Sequence, residues 1–233
     1  MSTFSDAWLR LREPVDAASR DPGFATRLTG RLAKPIHVID LGTGTAANLR
    51  FLSPLLGDAQ TWELIDRDQA LLDAIPMRLA DWSRDYGWTL HELVDGLRIE
   101  GAGFDCEVRY RRLDLAAGPA VIDVPRGSLV TAAALLDLVS ESWLVELARH
   151  CRAQLAPVLF ALTYSGEIQF EPSDAEDASV TALINHHQLT DKGFGPALGP
   201  AAAGRAVEIF EQSGYDVETA RSDWRLGVRE EKL

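Results

Sequence analysis

Apolar and polar positions change period repeatedly along this chain, and each change predicts an element. A short β-branched run, Ile36–Ile39, predicts a strand, and helical spacing follows over Thr45–Leu56. Thr61–Ile65 predicts a second strand, ending in Asp66-Arg67-Asp68. Leu71, Leu72, Ile75 and Leu79 then fall on one face of a helix over Gln69–Arg84. Leu97–Glu100 and Phe104–Leu113 read as two strands of a hairpin around Gly101-Ala102-Gly103. Val108, Tyr110 and Leu113 nearly alternate with Arg109, Arg111 and Arg112, which predicts an edge strand with one wet face. The apolar stretch Leu129–Val139 predicts a buried central strand that runs into a turn. Trp143–Leu155 predicts a helix, and Val158–Leu162 a further buried strand closed by Thr163-Tyr164-Ser165-Gly166. Ala201–Ser213 reads as the last helix and Tyr215–Leu226 as one more strand. Strands alternating with helices imply a mostly parallel sheet covered on both faces.

Two regions depart from that rhythm. Residues 1–34 read as helical, with Trp8, Leu9 and Leu11 ahead of Pro14, and Phe24, Leu28 and Leu32 at helical spacing. Residues 166–200 combine an acidic stretch, Glu167 to Asp177, a short helical piece to His187, and the loop Asp191-Lys192-Gly193-Phe194-Gly195-Pro196. An insertion after a core strand, ending in a glycine-rich loop with an aromatic tip, reads as a lid. The chain thus divides into a helical segment (1–34), an α/β core (35–165), an inserted lid-like segment (166–200), and a helix and strand completing the sheet (201–233).

Composition narrows the function. At 233 residues, 46% hydrophobic and 25% charged, the chain fits one soluble globular domain. No run reaches membrane-span length and no signal pattern opens the sequence, so a cytoplasmic protein is expected. Two cysteines, Cys106 and Cys151, make no disulfide framework. A formal net charge of −12 argues against nucleic acid as a partner, because phosphate backbones require clustered cations. His186 and His187 diverge on a helix and nothing completes a ligand set, so no metal is expected.

The chemistry is concentrated in Val38-Ile39-Asp40-Leu41-Gly42-Thr43-Gly44-Thr45-Ala46, a strand, a tight glycine turn and a helix start. Glycines let a cofactor lie directly on the turn. Asp40, Asp66 and Asp114 close successive strands, at the edge where open parallel sheets bind ligands. A carboxylate such as Asp66 accepts from both hydroxyls of a ribose. Asp114 can accept from an exocyclic amine.

With Leu113-Asp114-Leu115, this ordered trio resembles the class I S-adenosylmethionine-dependent methyltransferases over about residues 35–165. The resemblance implies a Rossmann-like α/β fold and S-adenosyl-L-methionine as cofactor. By the family pattern, Asp40, Gly42, Thr43 and Gly44 face the methionine end. Asp66 binds the ribose, Arg67 flanks the adenine, and Asp114 with Leu115 holds the adenine amine and ring. Ala134, Leu135 and Asp137 line the sulfonium and acceptor side. Two features depart from the family: its third glycine is Ala46, and its terminal two-stranded hairpin has only charged Gly227–Leu233 to follow Trp224-Arg225-Leu226.

A dinucleotide is the competing cofactor, since Asp66 would serve an NAD ribose equally well. Asp40 beside a pyrophosphate would repel it, whereas beside an amino group it attracts, which favours the methyl donor over an NAD-dependent oxidoreductase. A non-catalytic binding protein that keeps the fold is the other alternative. Methyl transfer needs a general base only if the acceptor must lose a proton. Asp137, Tyr164 and His186 are the residues expected to act there. His187 shares a helical face with Val180, Leu183 and Ile184 and is expected to be packed. No Asn-Pro-Pro-Tyr follows the fourth strand, and with the negative charge this points to a small-molecule acceptor.

Overall fold

Capping side chains start the helices where the sequence pattern begins. In a computed structural model, which describes residues 4–230, 232 and 233, Ser5 Oγ accepts from Trp8 N at 3.1 Å and opens helix α1 (Asp6–Ser19). The helix continues through Pro14, and α2 (Gly23–Thr29) follows. Strand β1 (Ile36–Leu41) leads into α3 (Ala47–Leu56), and β2 (Asp58–Asp66) into α4 (Gln69–Asp85), which Asp68 caps through Ala70 N. Then come β3 (Thr89–Leu93), β4 (Gly96–Gly101) and β5 (Phe104–Arg112). Strand β6 (Leu129–Ala133), α5 (Glu141–Ala153), β7 (Val158–Ala161), α6 (Asp177–Gln188) and α7 (Ala202–Gln212) complete the order.

One seven-stranded sheet results, in the order β3-β4-β5-β2-β1-β6-β7. All neighbours are parallel except β3 with β4 and β4 with β5. This is the expected Rossmann-like α/β arrangement. Alternating side chains divide the core between the two faces: Ile36, Val38, Trp62 and Leu64 pack with α3 and α4, and Ile39, Leu41 and Ile65 pack with α5 and α7. From β1 the chain passes to β2, goes out to the edge at β3, comes back in through β4 to β5, and then crosses to β6 on the other side of β1. The crevice between the carboxyl ends of β1 and β6 is therefore the switch point where such sheets take ligands.

Three expectations need correction. Strand β5 is interior, because β2 pairs with one side of it and its hairpin partner β4 with the other, and the unforeseen β3 forms the edge beyond β4. Of the β5 arginines, Arg111 pairs with Glu63 on β2 and Arg112 donates to the Arg67 carbonyl. Tyr215–Leu226 forms no strand. Its apolar residues are used elsewhere: Tyr215 packs edge-on against Phe210 and donates to Ala156 O, and Trp224 Nε1 donates to Asp16 Oδ1 on α1 at 2.9 Å. Helix α6 has no buried side chain, so the face with Val180, Leu183, Ile184 and His187 is exposed rather than packed. No helix among the described residues is long and apolar enough to cross a membrane.

Candidate functional site

The glycine turn between β1 and α3 is drawn over the end of β2. Thr43 N donates to Ile65 O at 3.0 Å and Gly44 N to Asp66 Oδ2 at 2.8 Å. The other oxygen of Asp66 accepts from Asp68 N at 2.9 Å. Gly42 and Gly44 have φ of 66° and 56°, so glycine serves conformation here as well as space. Their missing side chains open toward apolar atoms. A Cβ on Gly42 would lie 3.5 Å from Leu135 Cδ1, and one on Gly44 would lie 3.1 Å from Leu9 Cδ1 of α1. Ala46 is left-handed too, at φ 66°.

Beneath this turn lies a buried polar network. Asp40 is fully buried; Thr43 Oγ1 donates to one of its oxygens and Asn48 Nδ2 to the other, both at 2.6 Å. Asn48 also reaches Thr131 Oγ1 on β6 at 3.0 Å, and Thr131 passes its own proton to Leu159 O on β7. Burial pushes the Asp40 pKa up to about 6, against the stabilising Thr43 and Asn48 hydrogen bonds and the Arg20 charge. The carboxylate expected to face a ligand thus lies one layer below the turn.

Helix α1 covers the network and is fastened by charge. Glu13 receives Arg50 at 2.6 Å and Arg78 at 2.6 Å, and Arg50 also donates to Thr45 O in the turn. Burial pushes the Glu13 pKa up, but the bonds and charges of Arg50 and Arg78 outweigh it and hold it low.

Across the crevice, the turn after β6 brings Ala134, Leu135 and Asp137 to the sheet edge. Asp137 is 6% exposed, and its Oδ1 has no hydrogen-bond partner among the described residues. Burial raises its pKa, against backbone N–H groups of Asp137 and Tyr164 and the charges of Arg12 and Lys192. Tyr164 donates its hydroxyl to Asn185 Oδ1 at 2.6 Å; burial and the Asp137 charge raise its pKa. Ala134 (φ 54°) and Leu162 (φ 59°) are left-handed, so with Ala46 three strained non-glycine residues ring this edge.

The structure brings Asp40, Gly42, Thr43, Gly44 and Asp66 together, and sets Ala134, Leu135, Asp137 and Tyr164 on the facing side. Asp114 and Arg67 lie farther along the edge. Asp114 is exposed and accepts from Ala116 N, while buried Leu115 takes Trp143 Nε1 on its carbonyl. Arg67 offers its carbonyl to Arg112 Nε. His186 is exposed, and it is its neighbour Asn185 that engages Tyr164. The aromatic tip of the inserted loop points inward: Phe194 packs edge-on against Trp143 at 5.5 Å. Asn48, Asn185 and Arg20 are site residues without a sequence motif. The signal for Asn48 is a polar residue in the first turn of the helix that follows the glycine turn.

No protein-family model and no curated protein matches the chain. Solved structures do. It is similar to a SAM-dependent methyltransferase from Aquifex aeolicus, at 15% identity and a TM-score of 0.51, over 93% of this chain and 92% of that one. It is also similar to an O-methyltransferase family protein from Burkholderia thailandensis, at 16% identity and a TM-score of 0.50, over 88% and 52% of the two chains. The chain spans about half the length, 48–52%, of several structures that it matches. At such identities these likenesses show the fold alone, a Rossmann-like α/β sheet that this chain shares with those methyltransferases.

Proposed function

We propose that the protein is an S-adenosylmethionine-dependent methyltransferase acting on a small-molecule acceptor. The observation that carries this reading is the glycine turn held over β2 by Gly44 N–Asp66 Oδ2 at 2.8 Å, at the carboxyl end of β1, with Asp137 and its buried, unpartnered oxygen in the turn that follows the neighbouring strand β6. The residues fit such a ligand. Gly42 and Gly44 put backbone against the crevice, and Asp66 keeps lone pairs for ribose hydroxyls. Leu9 and Leu135 supply apolar atoms where a sulfonium must be shielded from water. A dinucleotide is disfavoured, because Asp40 sets a carboxylate directly under the turn.

Bound S-adenosylmethionine supplies a methyl group already activated by its sulfonium. The chain's own contribution is therefore positioning and exclusion of water. Asp40 with Thr43 and Asn48 fixes the turn and presents negative charge to an ammonium. Asp114, Leu115 and Arg67 accommodate the adenine end. On the acceptor side, Asp137 Oδ1 takes a hydrogen bond or a proton from the acceptor. Tyr164, held by Asn185, walls that side, and His186 serves as base only if the inserted segment moves inward.

Calorimetric titration with S-adenosylmethionine and S-adenosylhomocysteine tests the reading. Binding of both by the wild type, abolished in Asp66→Ala, is expected; no heat with either at saturating concentration overturns it. Binding without methyl transfer to any compound of a broad metabolite panel would instead favour a non-catalytic protein.

A further inference from the structure

Arg20 is the charged residue of the site that no motif explains. It caps the end of α1, and its guanidinium turns inward: Nη2 donates to Asn48 Oδ1 at 2.7 Å, and the group stacks 4.0 Å over the Phe51 ring. Burial pulls its pKa down to about 10, against the charges of Asp40 and Asp16, so it remains a cation at neutral pH. It hydrogen-bonds neither carboxylate. A guanidinium has five N–H donors, and Asn48 Oδ1 is the acceptor that Arg20 has among the described residues. An arginine largely withdrawn from water with donors to spare is costly unless an anion meets it.

We propose that Arg20 binds the α-carboxylate of the methyl donor, so that α1 completes a receptor for a zwitterionic amino acid. This rests on the methyl-donor reading above. An α-amino acid carries its ammonium and carboxylate on one carbon, so a receptor needs an anion and a cation a short way apart and kept from collapsing onto each other. Asn48 provides that separation. Its Nδ2 donates to Asp40 and its Oδ1 accepts from Arg20, which places one amide between the two charges. Asp66, the other acid acting on Asp40, is held by Gly44 N and Asp68 N and leaves Arg20 free. Adenine and ribose carry no anion in this ligand, so Arg20 acts on the amino-acid end alone. Planar, bidentate pairing with a carboxylate suits arginine over lysine.

The test is titration calorimetry with S-adenosylhomocysteine and with its decarboxylated analogue, which keeps the amine, thioether and adenosine. The wild type is expected to bind the carboxylate-bearing ligand roughly tenfold to a hundredfold more tightly, the range for a charge-assisted hydrogen bond. Arg20→Gln should lose that preference while keeping the wild-type affinity for the decarboxylated ligand, and Arg20→Lys should recover part of it. Equal wild-type affinity for the two ligands overturns the assignment without any variant. So does an Arg20→Gln protein that weakens both equally, which marks a structural role. If the wild type binds neither ligand, the methyl-donor reading falls and this assignment with it.

Discussion

The two sides of the crevice are built differently. On the donor side, Asp40, Thr43, Asn48 and Thr131 bond one another between the sheet and α3, Asp66 is held by the Gly44 and Asp68 backbone, and α1 is fastened by the Glu13–Arg50–Arg78 triad. On the acceptor side, turns, an exposed helix and a tail without a strand surround an acid with an unpartnered oxygen. Loop segments there are pinned by a few backbone bonds, such as Leu198 N to Val139 O and Gly199 N to Asp137 O, and by exposed ion pairs. The difference teaches that the donor side carries its own stability, whereas the acceptor side leaves polar capacity for a ligand and tolerates change.

Removing one ion pair from each side gives the largest contrast. The side chains of Arg50 and Arg78 are only 6% and 9% exposed, so Glu13→Ala strands two buried cations. Urea denaturation should show a loss of about 3–5 kcal/mol. Arg221 and Glu167 are 75% and 70% exposed and screened by solvent, and Arg221→Ala should leave stability unchanged within the error of the measurement. Equal effects would dissolve the contrast.

Next in size is pH, because the two donor-side acids respond in opposite directions. The folded pKa of Asp40 lies above its ordinary 3.8, so its favourable contribution is complete below 3.8 and lost as pH rises through about 6. Measured against Asp40→Asn, the wild type should lose up to about 3 kcal/mol over that window, an order-of-magnitude figure for a group wholly out of water. The pKa of Glu13 is held below 4.5, so its contribution is present above 4.5 and lost as pH falls. Measured against Glu13→Ala, the slope should reverse. Parallel slopes would mean that burial does not outweigh the Thr43 and Asn48 hydrogen bonds at Asp40.

On the acceptor side, Asp137→Asn should separate activity from stability. Replacing a buried carboxylate that has one unpartnered oxygen by a neutral amide of the same shape should raise stability by about 1 kcal/mol in thermal unfolding. If Asp137 accepts a proton from the substrate, methyl transfer should fall about 10²-fold in a radiolabel assay. Undiminished transfer would remove it from the acceptor chemistry.

How far this was legible follows the same division. Periodicity located α3, α4 and α5 through their apolar faces, continuous apolar runs located β1 and β6, which are buried on both faces, and the acids after β1 and β2 stand where the fold needs them. What escaped had no local signature. Thr89–Leu93 is nearly all exposed, so its polar sequence reads as loop. Tyr215–Leu226 alternates like a strand, yet its tyrosine and tryptophan are used by α7 and α1. Arg20 and Asn48 are 28 positions apart, and only the packing of α1 on α3 joins them. His186 looked the better base by helical phase, but phase does not tell which face of an exposed helix meets the site. Asn185 is the residue that meets it.

The smallest effect compares the two sides at matched chemistry. Ala46 and Ala134 are both left-handed, at φ 66° and 54°, and both sit where a strand gives way to the ligand edge. For a non-glycine residue that conformation costs roughly 1–2 kcal/mol, which glycine relieves. Ala46 is fully buried among Leu49, Val38 and their neighbours, so Ala46→Gly also forfeits about 0.8 kcal/mol of methyl burial and some chain entropy. Gain and loss nearly cancel, and its Tm should stay within a degree or two. Ala134 is only half-buried, so its methyl contributes less and Ala134→Gly should raise stability by about 1 kcal/mol. A stabilised Ala46→Gly with a neutral Ala134→Gly would reverse the ranking and place the stored strain on the donor side instead.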